Sequence, residues 1–277
     1  MFKQFLTAAS LAILASAALA QTGNSFADVT SSGAPAATAS AAPAAAGGEE
    51  KIVRDAFAKL APTAKVEAVA KSDLPGFYEL VVSNGQVVYI SADGKYLIQG
   101  DVYDVTQKAS LTGRAQAAIR LAALKTLPQS KRLVFAPANA KHTVTVFTDV
   151  DCPYCRQFHK QIAAYNQVGI AVEYVLFPLS IHPGADKKAE AVWCSQDRNA
   201  AYTAAMNGQD PGKKTCANPV AETTALATKI GIGGTPTILN EYGVQVNGNA
   251  AQDPKQFLAE LDRLAAQAAK GPVAAAN

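Results

Sequence analysis

Beyond its first twenty residues, this chain of 277 residues has no apolar run long enough to cross a bilayer. It has no basic stripe and no basic patch interleaved with aromatics, which argues against nucleic acid as a partner. Its 25 Lys and Arg face 22 Asp and Glu, so net charge says nothing about partners. Cysteine is scarce, with four residues: Cys152, Cys155, Cys194 and Cys216. A zinc site built on the first two needs a second clustered ligand pair. Cys194 and Cys216 are too far apart to supply one by local spacing, and the nearby His159 is the only recruit. No metal or organic cofactor is expected.

The N-terminus reads as an export signal. Lys3 gives a positive start, Phe5 to Leu19 carries no charge, and Ala18-Leu19-Ala20 is a small-x-small cleavage site before Gln21. An uncleaved anchor is the alternative. Removing residues 1–20 takes away Lys3 and leaves 24 basic against 22 acidic residues. The expected compartment is oxidising; in a Gram-negative bacterium it is the periplasm. Residues 21–48 are dominated by Ala, Ser, Thr, Gly and Pro, a composition that cannot build a packed core. They read as a disordered leader.

The chemistry is concentrated in Cys152-Pro153-Tyr154-Cys155. The run His142 to Thr148 before it reads as a buried strand, and a helical pattern follows it to about Asn166. Two cysteines two residues apart at a strand-to-helix junction are the redox pair of a thioredoxin-like fold. Free N–H groups and the helix dipole stabilise a thiolate on the first cysteine, and the second can close the ring. Half of a zinc site and an ordinary structural disulfide remain as rival readings. Four cysteines allow three connectivities. Only one pairs Cys152 with Cys155, and it leaves Cys194 with Cys216 closing a loop of about 22 residues, a staple worth roughly 3 kcal/mol on the chain-entropy model.

The fold class is α+β in several parts. Residues 49–110 form a small N-terminal unit. Ile52, Val53, Ala56, Phe57 and Leu60 share one helical face, and Pro62 ends that helix. Strands follow at Phe77 to Val82, Gln86 to Ser91, Tyr96 to Gln99 and Val102 to Val105, with turns at Asn84-Gly85 and Asp93-Gly94. A unit of about 60 residues is small for independent stability, so pairing with a second copy is plausible. Residues 111–137 read as an Ala-rich linker helix and connector, a semi-rigid spacer in preference to an ordinary packed helix. Residues 138–277 form the catalytic domain, with a helical insertion at about 185–230 and a closing helix from Pro254 to Ala269. Gly234-Thr235-Pro236-Thr237 fits a proline loop facing the CxxC, with a cis bond before Pro236 exposing backbone for a substrate chain.

With these segments in place the chain resembles the DsbC family of periplasmic disulfide isomerases. The resemblance runs from about Glu49 to Ala269. Its most specific stretches are Val87 to Val105, Phe147 to Cys155, Ala191-Val192-Trp193-Cys194 and Gly234 to Thr237. It implies that Cys152 is the nucleophile and Cys155 the resolving thiol. It also implies a structural disulfide between Cys194 and Cys216 and a cis-proline loop at Thr235-Pro236. It further implies a V-shaped homodimer paired through the N-terminal domains, unfolded or misoxidised exported proteins as clients, and a DsbD-type membrane reductase as electron donor. A DsbG-like reductase of single oxidised cysteines and a chaperone-type binder are the alternatives. A DsbA-like oxidase is disfavoured because that class lacks the N-terminal domain and linker. The active-site dipeptide Pro153-Tyr154 departs from the Gly-Tyr of the best-known members, so the redox poise does not carry over. Val146 stands six positions before Cys152, where thioredoxin-like reductases often keep a carboxylate. Asp149 and Asp151 read as solvated or hydrogen-bonded caps, His159 as a surface or half-buried helix residue, and His142 and His182 as exposed structural positions. Tyr154 lines the substrate groove or shields the disulfide.

Overall fold

Glycines at turns fold the first part of the chain into a small sheet. In this computed structural model, which describes residues 46–270, Gly85 and Gly94 take φ of 72° and 73°, a conformation that costs glycine nothing. Helix α1 (Ala46–Leu60) comes first, followed by β1 (Val66–Lys71), β2 (Phe77–Val82), β3 (Val87–Ser91) and β4 (Leu97–Gln99). These form an antiparallel sheet in the order β1-β2-β3-β4. Leu80 lies opposite Val88 and Tyr78 opposite Ile90. Val53 and Phe57 of α1 cover Tyr78, Leu80, Val82, Val88 and Ile90. Ile52 and Leu60, expected on the same inward face, are exposed. Strand β1 has no sequence signal: its residues never become fully buried, so it lacks the strict alternation that marks a half-buried strand. The export signal lies outside the described residues. So does most of the expected leader, but α1 begins three residues before Glu49.

A two-residue hairpin, β5 (Tyr103–Asp104) with β6 (Ala109–Ser110), leads into α2 (Leu111–Thr126). Ser110 caps α2 by accepting from the Gly113 N–H. Thr112 Oγ1 ties the helix start to Tyr89 OH at 3.0 Å and accepts from the Val102 N–H. At the other end, Leu124 and Leu127 pack with Phe147, Val175 and Phe177. The sequence reads this helix as a semi-rigid spacer; it is packed at both ends.

The second sheet has the order β10-β8-β9-β7. Strand β7 (Leu133–Phe135) and β10 (Thr237–Leu239) flank β8 (His142–Thr148) and β9 (Ile170–Leu176). The central pair β8–β9 is parallel, and the flanking pairs are antiparallel. All seven residues of β9 are buried, as a strand covered on both faces requires. Strand β7 precedes the boundary expected at Ala138, so the sheet takes its edge from the connector. It is three residues long, too short to carry a periodicity. The helix expected from Pro153 to Asn166 is broken into α3 (Pro153–His159) and α4 (Ile162–Gln167). Helices α5 (Ala185–Trp193), α6 (Arg198–Met206) and α7 (Val220–Lys229) make the insertion, and α8 (Pro254–Lys270) closes the domain. A disulfide between Cys194 and Cys216, with Cα atoms 5.6 Å apart, joins the end of α5 to the segment before α7.

His142, expected at an exposed position, and His159, expected at the surface or half-buried, are both interior. His142 is held between Glu241 at 2.8 Å and Asp262 at 2.9 Å, because the β10 turn and α8 converge on the start of β8. His159 sits among Phe135, Tyr174 and Tyr202. Its ring nitrogens meet Tyr174 OH at 2.9 Å and Thr203 Oγ1 at 3.0 Å. Burial lowers its pKa from 6.5 to about 4. The folded state therefore takes up this proton less readily than the unfolded chain, and stability falls as pH drops from 6.5 toward 4. Urea unfolding at pH 7 and 4.5 should show a stability loss roughly 2–3 kcal/mol larger in the natural chain than in His159→Gln. Equal losses in the two would contradict this account.

Candidate active site

Strand β8 ends at Thr148 and α3 begins at Pro153, so the four residues between them carry the chain over the edge of the sheet. Cys152 is the N-cap of α3, with extended backbone at φ −74° and ψ 120°. Pro153 takes the first helical position, where its missing N–H would have no partner anyway. The Cys152 carbonyl accepts from Arg156 N at 3.1 Å, which starts the helix. Cys152 and Cys155 are free thiols and both are buried. Across from them the Thr235–Pro236 bond is cis. It turns the Thr235 carbonyl toward the site, where it accepts from the Cys152 thiol at 3.3 Å.

The two thiols are pushed apart in acidity. Cys152 falls to about 5. The largest cause is the hydrogen bond from Cys155, followed, against the opposing effect of burial, by the Thr235 side chain and the N–H groups of Cys155 and Tyr154. The Thr235 hydroxyl is buried and, among the described residues, has no hydrogen-bond partner. Cys155 is pushed far up, first by burial and then by the neighbouring Cys152 sulfur. Thr148 stands beside it, and Thr148 Oγ1 is 2.8 Å from the hydroxyl of fully buried Tyr202. Val146 is completely buried, so the floor of the site offers hydroxyls where a carboxylate could have stood.

Asp149 is a hydrogen-bonded cap, but it is not solvated: its side chain has no exposed surface. It accepts from Asp151 N at 2.8 Å, Leu179 N at 2.7 Å and His182 Nδ1 at 2.8 Å. His182 is thus half-buried against the active-site loop, not an exposed structural position. A loop histidine beside a proline gives no sign of a carboxylate partner 33 residues away. Asp151 pairs with Arg156 at 3.1 Å and Lys188 at 2.8 Å. Tyr154, between the cysteines in the sequence, and Ile181, the residue before His182, have 70% and 75% of their surface exposed. Ile181 carried no sequence signal. Cys194 and Cys216 are bonded to each other and so cannot complete a zinc site with the CxxC pair. Among the described residues no three His, Cys, Asp or Glu side chains converge as a metal set.

This geometry has relatives. Residues 35–113 match the disulfide bond isomerase protein N-terminal domain, and residues 129–265 match a thioredoxin-like domain. The thiol:disulfide interchange protein DsbC of Dickeya dadantii is 37% identical over 196 residues, covering 70% of this chain and 79% of the relative. The chain belongs to the DsbC family. The DsbC of Escherichia coli is 35% identical over 187 residues, covering 66% of this chain and 78% of the relative. The crystal structure of a disulfide interchange protein from Neisseria gonorrhoeae is similar at 36% identity and a TM-score of 0.38, covering 41% of this chain and 81% of that one. The α+β class read from the sequence agrees with the two matched DsbC-family domains. The first sheet described above lies within residues 35–113 and the second within residues 129–265.

The acidity split can be tested directly. Thiolate absorbance of the reduced chain should titrate with a midpoint near 5, the value for Cys152. Cys155→Ala removes the strongest donor to that thiolate and should move the midpoint upward. A midpoint unchanged by the substitution would show that Cys155 does not stabilise the Cys152 anion.

Proposed function

We propose that this chain is a thiol:disulfide isomerase of exported proteins, with Cys152 as nucleophile and Cys155 as resolving thiol. The observation that carries the reading is the acidity split, a low Cys152 next to a strongly raised Cys155. At neutral pH, Cys152 is a thiolate. It attacks one sulfur of a substrate disulfide, so a Cys152–substrate bond forms and the substrate's S–S bond breaks. The electron pair leaves on the second substrate sulfur, which takes a proton from water. Another substrate thiolate then attacks the mixed disulfide at the substrate sulfur. A new substrate disulfide forms and the Cys152 thiolate returns, with no net oxidation.

The competing exit is reduction. Cys155 must lose its proton before attacking the Cys152 sulfur, leaving an enzyme disulfide and a substrate with two thiols. Burial makes that deprotonation unfavourable, and the neighbouring groups are hydroxyls, not a carboxylate. The mixed disulfide therefore persists while a substrate thiol finds it, which favours rearrangement over reduction. Pro153 and Tyr154 frame the pair. Thr235 and the cis Pro236 present backbone along which an extended substrate chain pairs. Exposed Tyr154 and Ile181 supply apolar contact for an unfolded chain. This contact also supports a chaperone-type activity alongside catalysis.

The N-terminal unit is proposed as the dimerisation domain of a homodimer. Strand β4 is an edge strand, and Tyr96, Ile98, Tyr103 and Val105 near it are exposed. An exposed apolar edge is a site for pairing with another chain. The export signal and the membership in the family support a periplasmic location. A DsbD-type membrane reductase would return Cys152 and Cys155 to the thiol state. The Cys194–Cys216 disulfide is assigned a structural role.

Refolding of a scrambled multi-disulfide protein tests the reading. The mature chain should restore native pairing, and Cys152→Ala should abolish this, with a loss of at least about a hundredfold for removing a covalent nucleophile. If the intact chain only reduces or oxidises without reshuffling, the isomerase assignment is wrong. A charge placed on the β4 edge, Ile98→Lys, should shift the sedimenting species to monomer and lower isomerisation more than reduction. A dimer unaffected by Ile98→Lys and by Val105→Lys would exclude this edge as the interface.

A further inference from the structure

Two carboxylates, Asp149 and Asp151, lie within three residues of the Cys152 thiolate. Like charges so close oppose ionisation of the sulfur unless each is compensated. Asp151 is compensated by two side chains that keep their charge through the physiological range, Arg156 and Lys188. Asp149 has one ionisable partner, His182, with Nδ1 2.8 Å from Oδ2. Its remaining contacts are the neutral N–H groups of Asp151 and Leu179. The same residue holds both ends of the connection: its carbonyl accepts from Cys152 N at 3.2 Å while its carboxylate holds the imidazole. Asp149 has no contact with water, so solvent cannot take over from His182.

We propose that His182 and Asp149 form a titratable charge pair that controls the Cys152 thiolate. Asp149 positions the ring, and the imidazolium offsets a carboxylate that would otherwise oppose the sulfur. The groups facing this pair are Asp149 at the end of β8, Asp151 and Cys152 at the start of α3, and Arg156 and Lys188 bound to Asp151. The segment carrying His182 and the Thr235–Pro236 loop bring no charge. The hydrogen bond that His182 donates to the Asp149 carboxylate holds the ring above the ordinary histidine value, and the Cys152 sulfur acts on it in the same direction. The interaction is reciprocal, so the imidazolium favours the thiolate by the same amount. The thiolate is best stabilised between the Cys152 and His182 titrations. Above the latter, Asp149 is uncompensated and the sulfur becomes more basic, a better nucleophile but a poorer leaving group.

The proposal rests on Cys152 being the reactive thiol, and thiolate titration of the reduced full mature chain tests both. His182→Gln keeps a donor to Asp149 but no charge, and should raise the Cys152 midpoint by about one unit. Asp149→Asn removes the opposing anion and should leave the midpoint in place or lower it. A structural role would move both variants the same way, and that outcome, or an unmoved His182→Gln, overturns the proposal. A second readout needs no change at the pair. In the natural chain the His182 ring, followed by NMR, should titrate at lower pH once Cys152 is replaced by Ala. An unchanged His182 titration likewise overturns it. A low-pH absorbance step that survives in Cys152→Ala overturns the pair and the functional assignment together. Failure of the pair alone keeps that step dependent on Cys152 but indifferent to His182→Gln.

Discussion

The rest of the site depends on one constraint: a sulfur anion must be stable in a nearly dry position. Cys152 is buried at the end of a strand, where burial alone would keep it protonated. Everything around it answers that cost. The start of α3 directs N–H groups at the sulfur, Pro153 removes the one that would be wasted, and Cys155 donates from one turn on. The cis Thr235–Pro236 bond lies on the other side, with the Thr235 carbonyl accepting from the Cys152 thiol.

The same requirement explains the polarity of the interior beneath. The two sheet strands that end here, β8 and β9, are buried along their length and could have been wholly apolar. Instead, Thr148 links Cys155 to Tyr202, and His159 is bonded separately to Tyr174 and Thr203. Neutral groups satisfy one another without adding charge near the thiolate. The charged groups are paired, Asp151 with Arg156 and Lys188 and the fully buried Asp149 with His182. The insertion between β9 and β10 therefore contributes to the site as well as interrupting the fold. It brings Tyr202 beneath the cysteines and Lys188 beside them.

Outside the site, α2 links the two sheets mechanically. Thr112 fastens its start to Tyr89 of the small sheet, and Leu124 enters the core shared with Phe147 and Val175. Phe147 faces this core, while its neighbour Val146 packs in the other core with Cys152 and Cys155, so the connecting helix and the cysteines lie on opposite faces of the sheet. The helix's weak Ala-rich stripe concealed this, because small residues pack closely without producing a strong hydrophobic pattern.

Local chemistry alone determined a good deal. CxxC after an apolar strand, proline at a helix start, glycine at hairpin turns and a Thr-Pro before a strand each act through their immediate neighbours. Strand β2 and helix α8 appear within a residue of where pattern put them. Short elements escaped: β7 has three residues, β1 no alternation, and the break between α3 and α4 no proline or glycine. What only the tertiary structure decided is which polar side chains meet. Thr235 reaches Cys152 across 83 residues, His182 reaches Asp149 across 33, and His142 reaches Asp262 across 120. A histidine's neighbours along the chain do not reveal whether it is solvated or paired with a buried carboxylate. That depends on where separate elements end against one another, and the charge state of the active site depends on it in turn.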